Sequence, residues 1–141
     1  MRRLVIDTNV YVDWMNAGRH EVVIFEKGAV KYLSAVVLME LRAGASRPAD
    51  RRLLARVEAA FEKAGRLLVP SGRVFAEAGE TLRLLRTRKG YELGSSHSIV
   101  SDVLIALSAR SRGAVVVTQN EHDFRAIQAI RPFHLEIVPA T

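Results

Sequence analysis

Short β-branched runs alternate with longer segments of helical period along the whole chain, and this alternation narrows the possible folds more than any other feature. Arg3 to Asp7 (RLVID) reads as a buried strand. Thr8 to Asn16 reads as a short helix, and Glu21–Lys27 as another helical segment before a second strand at Val30–Leu33. Ser34 is placed to cap a helix from Ala35 to Ala43 that stops at Gly44. Pro48 and Asp50 open a helix with Leu53, Leu54, Val57, Ala60 and Phe61 on one face, closed by Gly65. Leu67–Val69 reads as a third strand. Ser71 caps a helix to Arg88 with Phe75, Ala78, Leu82 and Leu85 inward, and Lys89 to Ser96 reads as a loop. A helix from Ser98 to Arg112, a strand at Ala114–Val117, a short helix from Asn120 and a last strand at Leu135–Val138 complete the pattern. Strands alternating with helices predict an α/β fold, a short parallel sheet with helices on both faces in three layers. Such folds bind ligands beyond the carboxyl ends of the strands.

The 141 residues suit one domain, 1–141, and 49% apolar against 26% charged residues supports a packed core rather than disorder. The apolar run after Met1-Arg2-Arg3 ends at Asp7, too soon for a secretory signal. No run approaches the ~20 apolar residues of a membrane span. The expectation is a soluble protein with no membrane partner. Cysteine is absent, which excludes disulfides, thiolate metal sites and thiol nucleophiles and agrees with a cytoplasmic location. The net charge of +6 and pI of about 10.3 suit a polyanionic partner, though a basic solvated surface has the same signature.

Four acids fall where the predicted topology converges. Asp7 ends the first strand, Glu40 lies in the helix after the second, Asp102 near the start of the long helix, and Asp123 just after the fourth strand. Apolar neighbours (Leu4-Val5-Ile6, Val37-Leu38-Met39, Val103-Leu104-Ile105) predict partial burial. At ~5 Å and an effective dielectric of about 20, each like-charged pair costs roughly 3 kcal/mol. Such a group takes up protons or binds cations. All-oxygen ligands suit Mg²⁺ or Mn²⁺, and that chemistry suits phosphodiester hydrolysis by metal-activated water. Each acid also has a structural reading. Asp7 fits a helix cap, Glu40 a solvated helix position, Asp102 a partner for the helix dipole, and Asn120 with Asp123 a variant capping box.

Four stretches carry a resemblance. They are Val5-Ile6-Asp7-Thr8-Asn9-Val10, Met39-Glu40-Leu41-Arg42-Ala43-Gly44, Asp102-Val103-Leu104-Ile105-Ala106 and Val117-Thr118-Gln119-Asn120-Glu121-His122-Asp123-Phe124. In this order they resemble the PIN-domain ribonucleases, and within them the VapC-type toxins of VapBC toxin–antitoxin systems. The resemblance implies a PIN-like domain and an endoribonuclease cleaving structured RNA, transfer or ribosomal, to leave a 3′-hydroxyl and a 5′-phosphate. It implies that Asp7, Glu40, Asp102 and Asp123 form a catalytic site for Mg²⁺ or Mn²⁺. Asp7 and Asp102 would be its firmest ligands, Glu40 would hold metal or a water on it, and Asp123 would serve a second, weaker metal. Asn9, Thr118 and Asn120 would orient the carboxylates. Many relatives carry an acid where Asn120 stands, and an amide is a weaker ligand, so a second metal would be loose or would need substrate. The family also implies a homodimer, and inhibition by a VapB-like antitoxin whose basic side chain enters the acidic groove.

Arg83, Arg86, Arg88 and Lys89 cluster where one helix ends and are candidates for RNA phosphate contact, as are Arg110 and Arg112, although helix C-termini favour cations in any case. Arg2, Arg3, Arg47, Arg51 and Arg52 read as solvated surface. Tyr11 and Trp14 fit core packing or, by the resemblance, an interface. His20, His97, His122 and His134 make no metal-ligand pair, and His122 beside Asp123 fits a solvated position or the rim of the site. Three rival functions fit less well. A receiver-type signalling domain wants an acid after the third strand, where Pro70-Ser71 stands, and a lysine beyond Lys89. An aspartate-nucleophile phosphatase wants an acid at Asn9. A non-catalytic nucleic-acid-binding module leaves the acids unexplained, because they repel RNA unless a cation bridges them.

Overall fold

The computed structural model describes residues 1–94 and 97–140. The elements are β1 (Arg3–Ile6), α1 (Thr8–Ala17), α2 (Glu21–Ile24), β2 (Val30–Ser34), α3 (Ala35–Gly44), α4 (Pro48–Lys63), β3 (Leu67–Leu68), α5 (Gly72–Lys89), α6 (His97–Ser111), β4 (Val115–Thr118), α7 (Glu121–Ile130) and β5 (His134–Ile137). The five strands run parallel in the order β3-β2-β1-β4-β5, flanked by helices, as the alternation predicts. β1 is central, and Leu4, Val5 and Ile6 are buried on both faces, as a central parallel strand requires. From β1 the chain first moves outward to β2 and β3, then returns to lay β4 and β5 on the other side. The order therefore reverses between β1 and β4, and a crevice opens beyond their carboxyl ends.

Local chemistry sets the helix starts. The Ser34 hydroxyl accepts from the N–H groups of Val36 and Val37 at 3.2 and 3.3 Å, and Ser71 accepts from Val74 at 3.1 Å. Each such cap contributes about 1 kcal/mol. Gly90 ends α5 at φ 72°, a conformation that costs a side-chain-bearing residue strain, and turns the chain so that Tyr91 follows.

Boundaries differ from expectation at a few places. α2 stops at Ile24 rather than Lys27, before the turn at Gly28. α3 runs through Gly44. β3 is two residues long, and Val69, next to Pro70, is exposed rather than in the strand. The end of the expected loop, residues 95 and 96, lies outside the described residues.

The inward face of α5 is a correction. Val74, Ala78, Thr81 and Leu85 are buried, while Phe75 is 55% exposed and Leu82 half-buried. The polar Thr81 holds a core position because its hydroxyl donates to the Glu77 carbonyl and accepts from Arg131. On α4 only Leu54 is buried, and Ala60 lies outside. Tyr11 is in the core, and Trp14 packs edge-on against Phe25 at 5.5 Å. No helix among the described residues is long and apolar enough to cross a membrane.

Candidate functional site

The crevice between β1 and β4 is an open cleft of about 340 Å³ whose walls include Asp7, Thr8, Glu40, Asp102, Gln119 and Asn120. Asp7 stands at the end of β1 and also begins α1. One carboxylate oxygen accepts from the Thr8 N–H at 2.8 Å, the other from the Thr118 hydroxyl at 2.7 Å. The capping role read from the sequence and a place in the cleft therefore coexist. Glu40, on α3, is half-buried rather than solvated and accepts from the Thr8 hydroxyl at 2.7 Å. Asp102 is buried at 5% exposure. It lies beyond the first turn of α6, so a dipole partner is not its role.

Asp123 stands slightly apart. Its two oxygens accept from the Tyr91 hydroxyl at 2.5 Å and the Asn120 amide at 3.1 Å. The same amide donates to Asp102 at 3.2 Å, and its carbonyl caps α7 by accepting from the Asp123 N–H. At this position a third acid would add repulsion, whereas the amide supplies donors to both neighbours. Asn9 donates to the Thr118 hydroxyl at 3.4 Å and accepts from the Gln119 N–H at 3.3 Å, tying α1 to the end of β4.

Burial sets the electrostatics. It pushes the Asp7 carboxyl up to about 6, although the hydrogen bonds from Thr118 and Thr8 favour the charged form; the Glu40 charge adds to the rise. Burial, followed by the charges of Asp7, Asp123 and Glu40, pushes Asp102 up to about 8. Burial and the Asp123 carboxylate hold the Tyr91 hydroxyl in its protonated form well above the usual range. The four acids thus interact, and a cation among them would relieve their repulsion. No group of three acids or histidines among the described residues forms a ready cage for an ion. Mg²⁺ does not require one, since one or two carboxylates, waters and phosphate oxygens complete its shell. The all-oxygen donor set of Asp7, Asp102 and Glu40 fits a hard cation of this kind.

The cationic candidates fall elsewhere. Arg83, Arg86 and Arg88 lie on exposed α5 and do not line the acidic cleft, and Arg83 is paired with Glu80 at 2.6 Å. Arg110 donates to the Pro132 carbonyl, and Arg112 lies over the Tyr32 ring, so both serve the fold. Arg2 and Arg47, expected to be solvated, are exposed but paired, with Glu26 and Glu136 and with Asp50 respectively. Several residues at the site escaped the sequence reading. Thr8 bridges Asp7 and Glu40. Gln119 donates to Asp13 at 2.6 Å and meets the His20 ring at 2.9 Å on the cleft rim. Tyr91 arrives from a loop, and no local pattern marks it.

A family model described as PIN domain matches residues 4–130. No curated protein matches the chain. Among solved structures, the DNA-bound VapBC of Salmonella typhimurium contains a chain that is 29% identical with a TM-score of 0.65, covering 97% of this chain and 98% of that one. FitAcB from Neisseria gonorrhoeae matches at 25% identity and a TM-score of 0.67, covering 94% and 95%. VapBC2 from Rickettsia felis, bound to a DNA fragment from its promoter, matches at 23% and 0.67, covering 96% and 98%. The family match, the parallel sheet and the four motifs agree, and the chain belongs to the PIN-domain family, with VapC-type proteins as its structural neighbours.

Proposed function

We propose that this chain is a metal-dependent endoribonuclease, the toxin half of a type II toxin–antitoxin pair, acting on structured RNA such as transfer or ribosomal RNA. The observation that carries the reading is the meeting of Asp7, Glu40 and Asp102 in one open cleft, where burial, followed by the charges of the neighbouring acids, pushes Asp102 up to about 8. A bound Mg²⁺ or Mn²⁺ ion supplies a Lewis acid for the phosphate and lowers the pKa of an attacking water.

The chain's own residues hold and orient. Asp7 and Asp102 are the ligands. Thr118 fixes the rotamer of Asp7 through its hydroxyl, and Thr8 holds Glu40 toward the same space. Asn120 keeps Asp102 and Asp123 at a set separation, with Asp123 as the acid for a second, weaker ion. One solved neighbour, VapBC-5 from Mycobacterium tuberculosis, is a member of a toxin–antitoxin family, with 21% identity and a TM-score of 0.59. The partner read for this chain is accordingly a VapB-like antitoxin. A lysine or arginine from it, laid into the cleft, would relieve the same repulsion and exclude the metal.

The test is cleavage of total bacterial RNA by the purified protein with Mg²⁺, with Mn²⁺ and with EDTA, beside Asp7→Asn and Asp102→Asn. Discrete fragments are expected with either metal, none with EDTA and none from either variant. Folded protein that cuts no RNA under any of these conditions overturns the reading.

A further inference from the structure

Beside Tyr91, whose hydroxyl donates to Asp123, lies a second cleft, of about 280 Å³, lined by Lys89, Tyr91, His122, Arg125 and Ala126. Its chemistry is opposite to that of the first. Lys89 and Arg125 are cationic, His122 adds a ring nitrogen, and no acid is among its lining residues. Lys89 comes from the last turn of α5, and His122 and Arg125 from α7. Among the described residues Lys89 has no ion-pair or hydrogen-bond partner. Arg125 is steered by Glu121 at 3.5 Å and Gln128 at 3.0 Å, both on its own helix. Tyr91 links the two regions: it lines the basic cleft and its hydroxyl donates to Asp123, whose other oxygen accepts from the Asn120 amide in the wall of the acidic cleft.

We propose that this basic cleft seats a backbone phosphate of the RNA strand beside the linkage that is cut. The inference rests on the nuclease reading, because it takes the acidic cleft as the place of the scissile phosphate. A strand anchored there through a cation carries further phosphates on each side. In this cleft the cationic group without a partner among the described residues is Lys89, and Arg125 lines the same cleft. An acidic protein segment fits less well, since its carboxylates would meet Asp123 and Asp102 with no phosphate bound through a cation to anchor them. Such a contact positions the strand without reading its sequence.

The test uses Asp7→Asn protein with Mg²⁺ and fluorescently labelled bulk transfer RNA, with affinity followed by anisotropy across a KCl series. Lys89→Ala and Arg125→Ala are each expected to weaken binding ~3–10-fold, and together to reduce the slope of log affinity against log salt by about 1. Lys89→Arg restores both quantities, and Arg52→Ala, on α4, changes neither. In otherwise wild-type protein the loss of kcat/KM is expected in KM. A double variant with unchanged thermal midpoint that binds with wild-type affinity and slope overturns the proposal, as does polyglutamate displacing the RNA as well as polyuridylate does at equal charge. Weakened binding by the variants of a protein that cuts no RNA would sustain the cleft as an RNA phosphate seat and overturn the nuclease reading together with the seat's placement beside a cut linkage.

Discussion

The Thr118 hydroxyl is fully buried and saturated. It donates to Asp7, and it accepts from the Asn120 N–H at 3.0 Å and from the Asn9 amide. Thr118→Val keeps the shape and removes all three bonds. It is expected to lower unfolding stability by about 1–3 kcal/mol in urea titration, because buried partners lose their bonds. It is also expected to lower cleavage ~10–100-fold by releasing the Asp7 rotamer. Thr118→Ser, which retains the hydroxyl, is expected to recover most of the activity; failure to do so would assign the effect to packing. At this scale the sequence is uneven. Asp7, Glu40 and Asp102 are legible as a set, because they recur with Asp123 in one order at one end of the sheet; singly, each also fits a structural role. Asn120 is legible as a departure from the family, but its bridging of two acids is not, since that depends on which carboxylates the fold brings to it. Tyr91, His20 and Gln119 enter through distant loop and rim contacts that leave no periodic trace.

Helix α5 shows what periodicity can miss within an element. Counting Phe75 inward satisfies hydropathy, yet the buried stripe is Val74, Ala78, Thr81 and Leu85. Leu85→Ala is expected to cost ~2–5 kcal/mol, and Phe75→Ala to stay within about 0.5 kcal/mol, by chemical denaturation. Equal costs would contradict this phase. Existence and order of the elements are legible because parallel strands are short, buried and β-branched, and because Ser34 and Ser71 mark helix starts. The phase of α5 is not, because Thr81 becomes a core residue only through its bonds to the Glu77 carbonyl and Arg131. Similarly, α4 brings Leu54 into the core and packs Val57 and Phe61 against it, while Ala60 stays exposed, so its apolar face overstates its burial.

Over the whole molecule, a chain of net charge +6 gathers four acids at one end of its sheet. Asp7 and Asp102 have folded pKa values of about 6 and about 8 against an ordinary 3.8. Well below pH 3.8 both states are protonated, and these groups leave stability unchanged. As pH rises further, the unfolded chain releases its protons while the fold retains them, so stability falls, and the loss is complete above about pH 8. In EDTA, the thermal midpoint of Asp102→Asn is therefore expected to exceed that of wild type by a margin that grows from pH 5 to pH 8. Mg²⁺ is expected to raise the wild-type midpoint more at pH 8 than at pH 5. A margin independent of pH would mean that Asp102 is not held protonated by its surroundings. The strand order also has a consequence in time. Asp7, at the end of β1, is translated 111 residues before its partner Thr118 on β4, the strand that pairs with β1. The acidic cleft cannot close on a growing chain until that late strand has left the ribosome. Synthesis thus imposes its own interval between the emergence of Asp7 and the assembly of the cleft around it.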